Sequence, residues 1–495
     1  MRTVAGAALA ALLLGAAPTG GPSMQPGAGQ EARAHWAVQA ADDATQRLID
    51  RGVLMLYAFD VAEARVAFGQ ALARNPNLAL AYWGEAEADT IDINLPQTDA
   101  GDKRGLAAVT EGRRHLATAS ETERMLVDAI AKRYGGGNKK ERYARYADAL
   151  GAWTKSHRDD ANVLTIAAYA IWNAEDTLFD AHEAPTAKSN EMLADLDAAL
   201  ALEPTNLGAH HLRIHLLESL HRAHDAVPDA DALSSYAYPP GTSHLPHMSG
   251  HIWSRIGDYG RLVDDNEHAV ANDVTWFAQG DGPGQEYMKF YHDHDVDFVL
   301  YGLTTLGQAE QARTFAQHED ELMQLKAALR LHDDAHVLQL TRTNSTGYDA
   351  FARAIADARQ GDVRSARAAL SKDGNANRTA IGDAVIAFAQ HDTGGAVSAY
   401  ARVYDRTKND ALGDPKSSWP TPVGEGYGAA LLAAGKAPQA ETIFADELKR
   451  YPNDPRLEWG LAEALKAQGK DDAAPRAAYH THWQGSRDLT LADLG

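Results

Sequence analysis

Two H-x-x-x-H pairs, His211/His215 and His247/His251, stand 36 residues apart in the same order. Histidines four apart on a helix share a face, with side chains about 5–6 Å apart, which suits two-point chelation of one metal ion. Eight of the 21 histidines fall between residues 210 and 251, namely His210, His211, His215, His221, His224, His244, His247 and His251; His292 and His294 follow. There is no cysteine, which excludes disulfides, thiolate metal sites, Fe–S clusters and cysteine nucleophiles. A metal would therefore be held by imidazole, carboxylate, tyrosine or backbone oxygen. Such a ligand set favours copper or zinc and also allows iron, while the absence of thiolate argues against Cu(I) trafficking. An ion with open positions would assist hydrolysis or an oxidation, and the residues do not separate the two.

Such side chains need rigid helices to aim them. Past residue 36 the chain is rich in Ala and Leu at a period near 3.6, broken by short Gly, Asp or Pro punctuation. Gly428, Gly435 and Ala440 recur 34 residues later as Ala462, Gly469 and Ala474, with Phe444, Leu448 and Pro452 between them. Gly52, Ala64, Phe68, Ala71 and Pro76 fall in a similar frame near the start, followed by Tyr82 and Ala86. Gly257-Asp258, Gly307-Gln308 and Gly361-Asp362 mark further turns. Small residues let paired helices approach, a Phe or Leu fills the space between neighbours, and proline ends the second helix. This spacing resembles the tetratricopeptide repeat (TPR), which implies an all-α solenoid of helical hairpins stacked as a superhelix. Segments 89–104, 134–140, 232–243 and 275–287 read as loops or distorted repeats.

The frame then tests the histidines. With the inter-helix turn at Gly257 as origin, His251, His247 and His244 lie six, ten and thirteen residues before it. With a turn near His221, Glu218, His215 and His211 lie three, six and ten before; with the turn at Gly307, Tyr301, Asp297 and His294 lie six, ten and thirteen before. At 100° per residue these offsets span an arc of about 80° on one helix face, the face that lines the concave groove of a TPR array. Other units carry Phe351/Ile355, Glu425/Ala429 and Trp459/Glu463 at the pair's offsets, so the enrichment is confined to the central units, 205–310. The expectation is a metal centre of His211, His215, His247, His251 and His294, with Glu218, His244, Arg255, Tyr291, Asp297 and Tyr301 as supporting or substrate-contacting residues. The competing reading is neutral imidazoles bonded to one another and to Glu218. Arg255 suits an anionic substrate or an inter-helix ion pair, and His210, His221, His224 and His292 read as surface or turn residues.

The strings from Gly208 to His215 and from His244 to Tyr259 resemble a His-rich exported subfamily of bacterial TPR proteins, with an HLxHMPxHIxxRxGxY-like segment. The resemblance covers His211, His215, His244, His247, His251, Arg255, Gly257, Tyr259, Asn266, Tyr291 and His294. Ser249 stands in place of the pattern's Pro, and Asp295 in place of Asn. It implies a TPR-like fold and carries no reaction with it.

The 495 residues are 45 % hydrophobic, with 47 Lys+Arg against 68 Asp+Glu and a net charge of −21, which excludes global disorder and disfavours nucleic-acid partners. Residues 1–30 read as a signal peptide and leader tail: Arg2, an apolar run from Val4 to Leu14, then small residues. No later run is long and apolar enough to span a membrane, so a periplasmic or secreted solenoid over 31–495 is expected. HExxH, P-loop and GxSxG motifs are missing. Two functions follow from different classes. One is an exported metalloprotein acting on a small molecule as a metal-dependent oxidoreductase or hydrolase. The other is a TPR scaffold gripping a peptide or protein, its histidines structural. A peptide groove would carry Lys, Arg or Asn at these offsets over several repeats, whereas here the cluster is imidazole-rich and local.

Overall fold

Asp-capped helices and left-handed turns set the architecture. Among the described residues, six turns place a residue at positive φ directly before a helix-starting Asp: Phe59-Asp60, Gly257-Asp258, His332-Asp333, Gly361-Asp362, His391-Asp392 and Asn453-Asp454. The left-handed residue closes one helix and the Asp carboxylate accepts from the first free amides of the next, as Asp60 does from Glu63 N at 3.1 Å. The turn expected near His221 falls on His221 itself, at φ 56°.

The computed structural model describes residues 29–38, 41–89, 98–180, 184–280, 285–409, 414 and 422–495. The signal-peptide assignment, up to residue 28, lies outside the described residues. Among these there are 24 α-helices, and extended pairing is limited to isolated bridges such as Glu31 with Ala237. The protein is all-α, an array of helical hairpins, and no helix among the described residues is long and apolar enough to cross a membrane.

The chain forms two compact units, one of the residues up to Ile252 with His268–His292, the other of Trp253–Glu267 with Asp293–Gly495. In the first, Phe68 of helix Val61–Arg74 lies between Gly52 and Gly84; a Cβ at either would stand 2.7 or 2.5 Å from its ring. Residues 30–38 pack onto this unit: Ala32 N donates to Ala237 O at 2.8 Å, and Trp36 meets Trp83 edge-on at 5.2 Å. In the second unit Phe444 repeats the arrangement between Gly428 and Gly460. There Glu425 is buried and accepts from Arg330 (3.0 Å) and Arg456 (2.6 Å).

Helix Asp99–Gly112 begins inside segment 89–104, the stretch read as a loop or distorted repeat. Gly101, Gly105 and Gly112 weaken its helical signal. The structure gives Gly105 a reason, since a Cβ there would lie 2.1 Å from the Tyr134 ring. Thr98 caps the helix by accepting from Gly101 N, and Asp99 and Asp102 stand in its first turn, where the helix dipole favours them.

Candidate metal centre

The first histidine helix, Leu207–Ser219, is capped by Asn206, whose side chain accepts from Ala209 N. Its second residue, Gly208, faces the Tyr57 ring so closely that a Cβ would stand 2.4 Å away. That approach brings the helix against the end of helix Asp43–Tyr57, and His211 Nδ1 lies 2.6 Å from Tyr57 O. A carbonyl only accepts, so the His211 proton sits on Nδ1 and the Nε2 lone pair is free to bind. The same bond satisfies a carbonyl in the last helical turn. His211 is fully buried, and burial pushes its pKa down to about 3.

One turn on, His215 has an Nε2 with no hydrogen-bond partner, as has His211. His244 starts the second histidine helix, His244–Ile256; it is 2 % exposed and neither of its ring nitrogens is hydrogen-bonded. Burial holds both His215 and His244 well below the ordinary histidine pKa, and the surrounding imidazoles push the same way. One ligand nitrogen from each of His211, His215 and His244 lies within 4.8 Å of the other two. Nitrogens around a tetrahedral ion at 2.0–2.1 Å stand about 3.3 Å apart, so small ring rotations would seat an ion.

Beside this trio, His247 Nε2 and His251 Nε2 are 3.0 Å apart, and His251 Nδ1 is 3.1 Å from Glu218 Oε2. Glu218 thus sets a carboxylate beside this imidazole. The ring of His251 is 6.1 Å from that of His215, and His247 is 5.5 Å from His244, so all five imidazoles of the two helices form one cluster.

Aromatic side chains cover it. Phe59 lies 4.4 Å from His211, 5.2 Å from His244 and 6.1 Å from His215, between ring centroids. Tyr291 meets His244 at 4.5 Å and Trp172 meets His215 at 5.9 Å. Phe59 holds φ 60° at a turn position where other hairpins use glycine. A left-handed phenylalanine costs about 1–2 kcal/mol of backbone energy, and the ring it delivers lies against the ligand nitrogens.

Other residues singled out in the sequence take these places. His244, expected to support the site or contact substrate, is a full member of the trio. His294, Asp297, Tyr301 and Arg255 belong to the second unit. There His294 packs edge-on to Phe298 at 4.9 Å, Asp297 pairs with Lys326 at 2.7 Å, and Tyr301 stands 5.9 Å from Tyr259. Arg255 acts electrostatically on Tyr451. His210 and His292 are not surface residues: His210 Nδ1 is 2.8 Å from Asp229, and His292 Nδ1 is 3.3 Å from the buried Asp273. Phe59 and the Tyr57 carbonyl went unseen in the sequence. The available signal was the Phe59-Asp60 pair, which occupies the slot of Gly257-Asp258.

Buried acceptors left unbonded cost about 1–3 kcal/mol each, and one ion would satisfy three together. The geometry of His211, His215 and His244 therefore permits a metal ion.

Among solved structures the chain is similar to the crystal structure of the P58(IPK) TPR domain at 2.5 Å, with 12 % identity over 86 % of this chain and 98 % of that one, and a TM-score of 0.22. At that score the superposition carries no argument, and it is the helix pairs with their glycine–phenylalanine packing that make the fold TPR-like. No family model matches the chain, and no curated protein matches it.

Proposed function

We propose that this is an exported TPR-like metalloprotein whose first unit binds a transition-metal ion, copper or zinc before iron, through His211, His215 and His244. One observation carries the reading: His211 and His244 are buried and His215 partly so, each has an unbonded ring nitrogen, and the three offer ligand nitrogens within 4.8 Å of one another. Neutral imidazole is the ligand form, and depressed pKa values keep it so at neutral pH. His247 and His251 supply further ligands or a polar path beside the ion, with Glu218 setting the orientation of His251. His294 is the remaining ligand expected from the sequence.

Phe59, Trp172 and Tyr291 would keep bulk water from the ion, and three protein ligands leave a coordination position for a small molecule or water. The reaction is then metal-assisted hydrolysis or an oxidation of a small molecule. Periplasmic or secreted placement rests on the N-terminal apolar run.

The test is elemental analysis of protein purified without a histidine tag. About one equivalent of transition metal is expected to survive gel filtration. His211→Ala combined with His244→Ala should abolish it and remove the rise in melting temperature that metal gives the wild type. Wild-type protein that neither retains copper, zinc or iron nor melts higher when they are added sinks the proposal.

A further inference from the structure

Arg133 ends helix Glu121–Arg133, is 1 % exposed, and none of its three guanidinium nitrogens has a hydrogen-bond partner. Its guanidinium lies 3.9 Å over the Tyr143 ring and 5.9 Å from that of Tyr146. Glu87, on helix Ala79–Ala88, is 2 % exposed; Oε2 accepts from Tyr146 OH at 2.7 Å, and Oε1 has no partner. The two groups attract, since Arg133 pulls down the pKa that burial raises at Glu87, but no ion pair joins them. Asp89, two residues on, is already paired with Arg65 and Arg104.

A stacked aromatic ring offsets only a small part of what it costs to bury an unpaired guanidinium. Five N–H donors in a fixed planar fork match the two oxygens of a carboxylate. We infer that Arg133 is the anchor of a binding site for a small carboxylate-bearing molecule, with Tyr143 as the floor. The site draws on helices Ala79–Ala88, Glu121–Arg133 and Lys139–Thr154, none of which contributes a histidine to the proposed metal centre. It therefore does not depend on the metal reading.

The test is thermal melting of the full chain, metal-loaded and metal-stripped, against acetate, succinate, glutamate and lactate. Phosphate and chloride at matched ionic strength are the non-carboxylate arms. At least one carboxylate is expected to raise the melting temperature by several degrees with a saturable dose response, in both metal states. Arg133→Met should lose that response, and Arg133→Lys should keep it with at least tenfold weaker affinity. No saturable rise in the wild type overturns the inference without recourse to any variant. A rise with phosphate alone, or an equal rise in a folded Arg133→Met, overturns it as well.

Discussion

Three histidines held without charge make acid the natural probe at the residue scale. His211 has a pKa of about 3 in the folded chain against an ordinary value of 6.5. The unfolded chain therefore binds the extra proton between those values, and stability falls as pH drops below about 6.5. His215 and His244 shift the same way. His211 contributes on the order of 1 kcal/mol per pH unit in that window. Metal-free wild type should melt progressively lower from pH 7 to pH 5, and His211→Gln, which has no proton to gain, should show a shallower slope. Equal slopes in the two proteins would mean that His211 does not titrate as its burial requires. Metal should leave over the same range, because protons compete for the same lone pairs.

Paired helices owe their closeness to glycine, so at the scale of elements the informative substitution is the smallest one. Gly84 lies mid-helix, where alanine would ordinarily add up to about 1 kcal/mol of helix propensity. A Cβ at Gly84, however, would stand 2.5 Å from the Phe68 ring. Overpacking of this kind costs about 1–3 kcal/mol, so Gly84→Ala should lower stability in denaturant melts, and Phe68→Leu in the same chain should restore part of the loss. Gly435 is the control. It sits in a turn at φ 70° with nothing within 4 Å of its Cβ direction, so Gly435→Ala tests backbone strain without any clash. The histidine helix follows the same logic, since Gly208 is what lets Tyr57 O reach His211.

Charge is the property that belongs to the whole molecule. A net −21 places 21 unbalanced negative charges on a chain of 495 residues. Self-repulsion at that level opposes the folded state, and salt screens it over about 8–10 Å at physiological strength. The melting temperature should therefore rise between about 10 mM and 0.15 M sodium chloride, as read by scanning calorimetry. A fall would mean that favourable exposed pairs, such as Arg33–Glu31 and Lys449–Asp446, outweigh the repulsion. The buried Arg330–Glu425–Arg456 group should be nearly indifferent to salt, being shielded from it.

All-helical hairpins, the turn at His221 and the shared face of His211, His215, His247 and His251 were legible in the sequence. Helical periodicity and glycine punctuation are local, written into residues three to seven apart, and an i,i+4 pair shares a face wherever its helix packs. Folding alone decided the rest. Spacing set His244 on the shared arc, and packing of the N-terminal end of its helix against the other histidine helix made it a third ligand candidate. Phe59 and the Tyr57 carbonyl reach His211 across more than 150 positions of chain, and Arg133 was one cation among 47 until packing buried it. Which nitrogen of His211 carries its proton depends on a single carbonyl brought from another hairpin. Long-range packing selects such partners, so they exist only once the chain has closed upon itself.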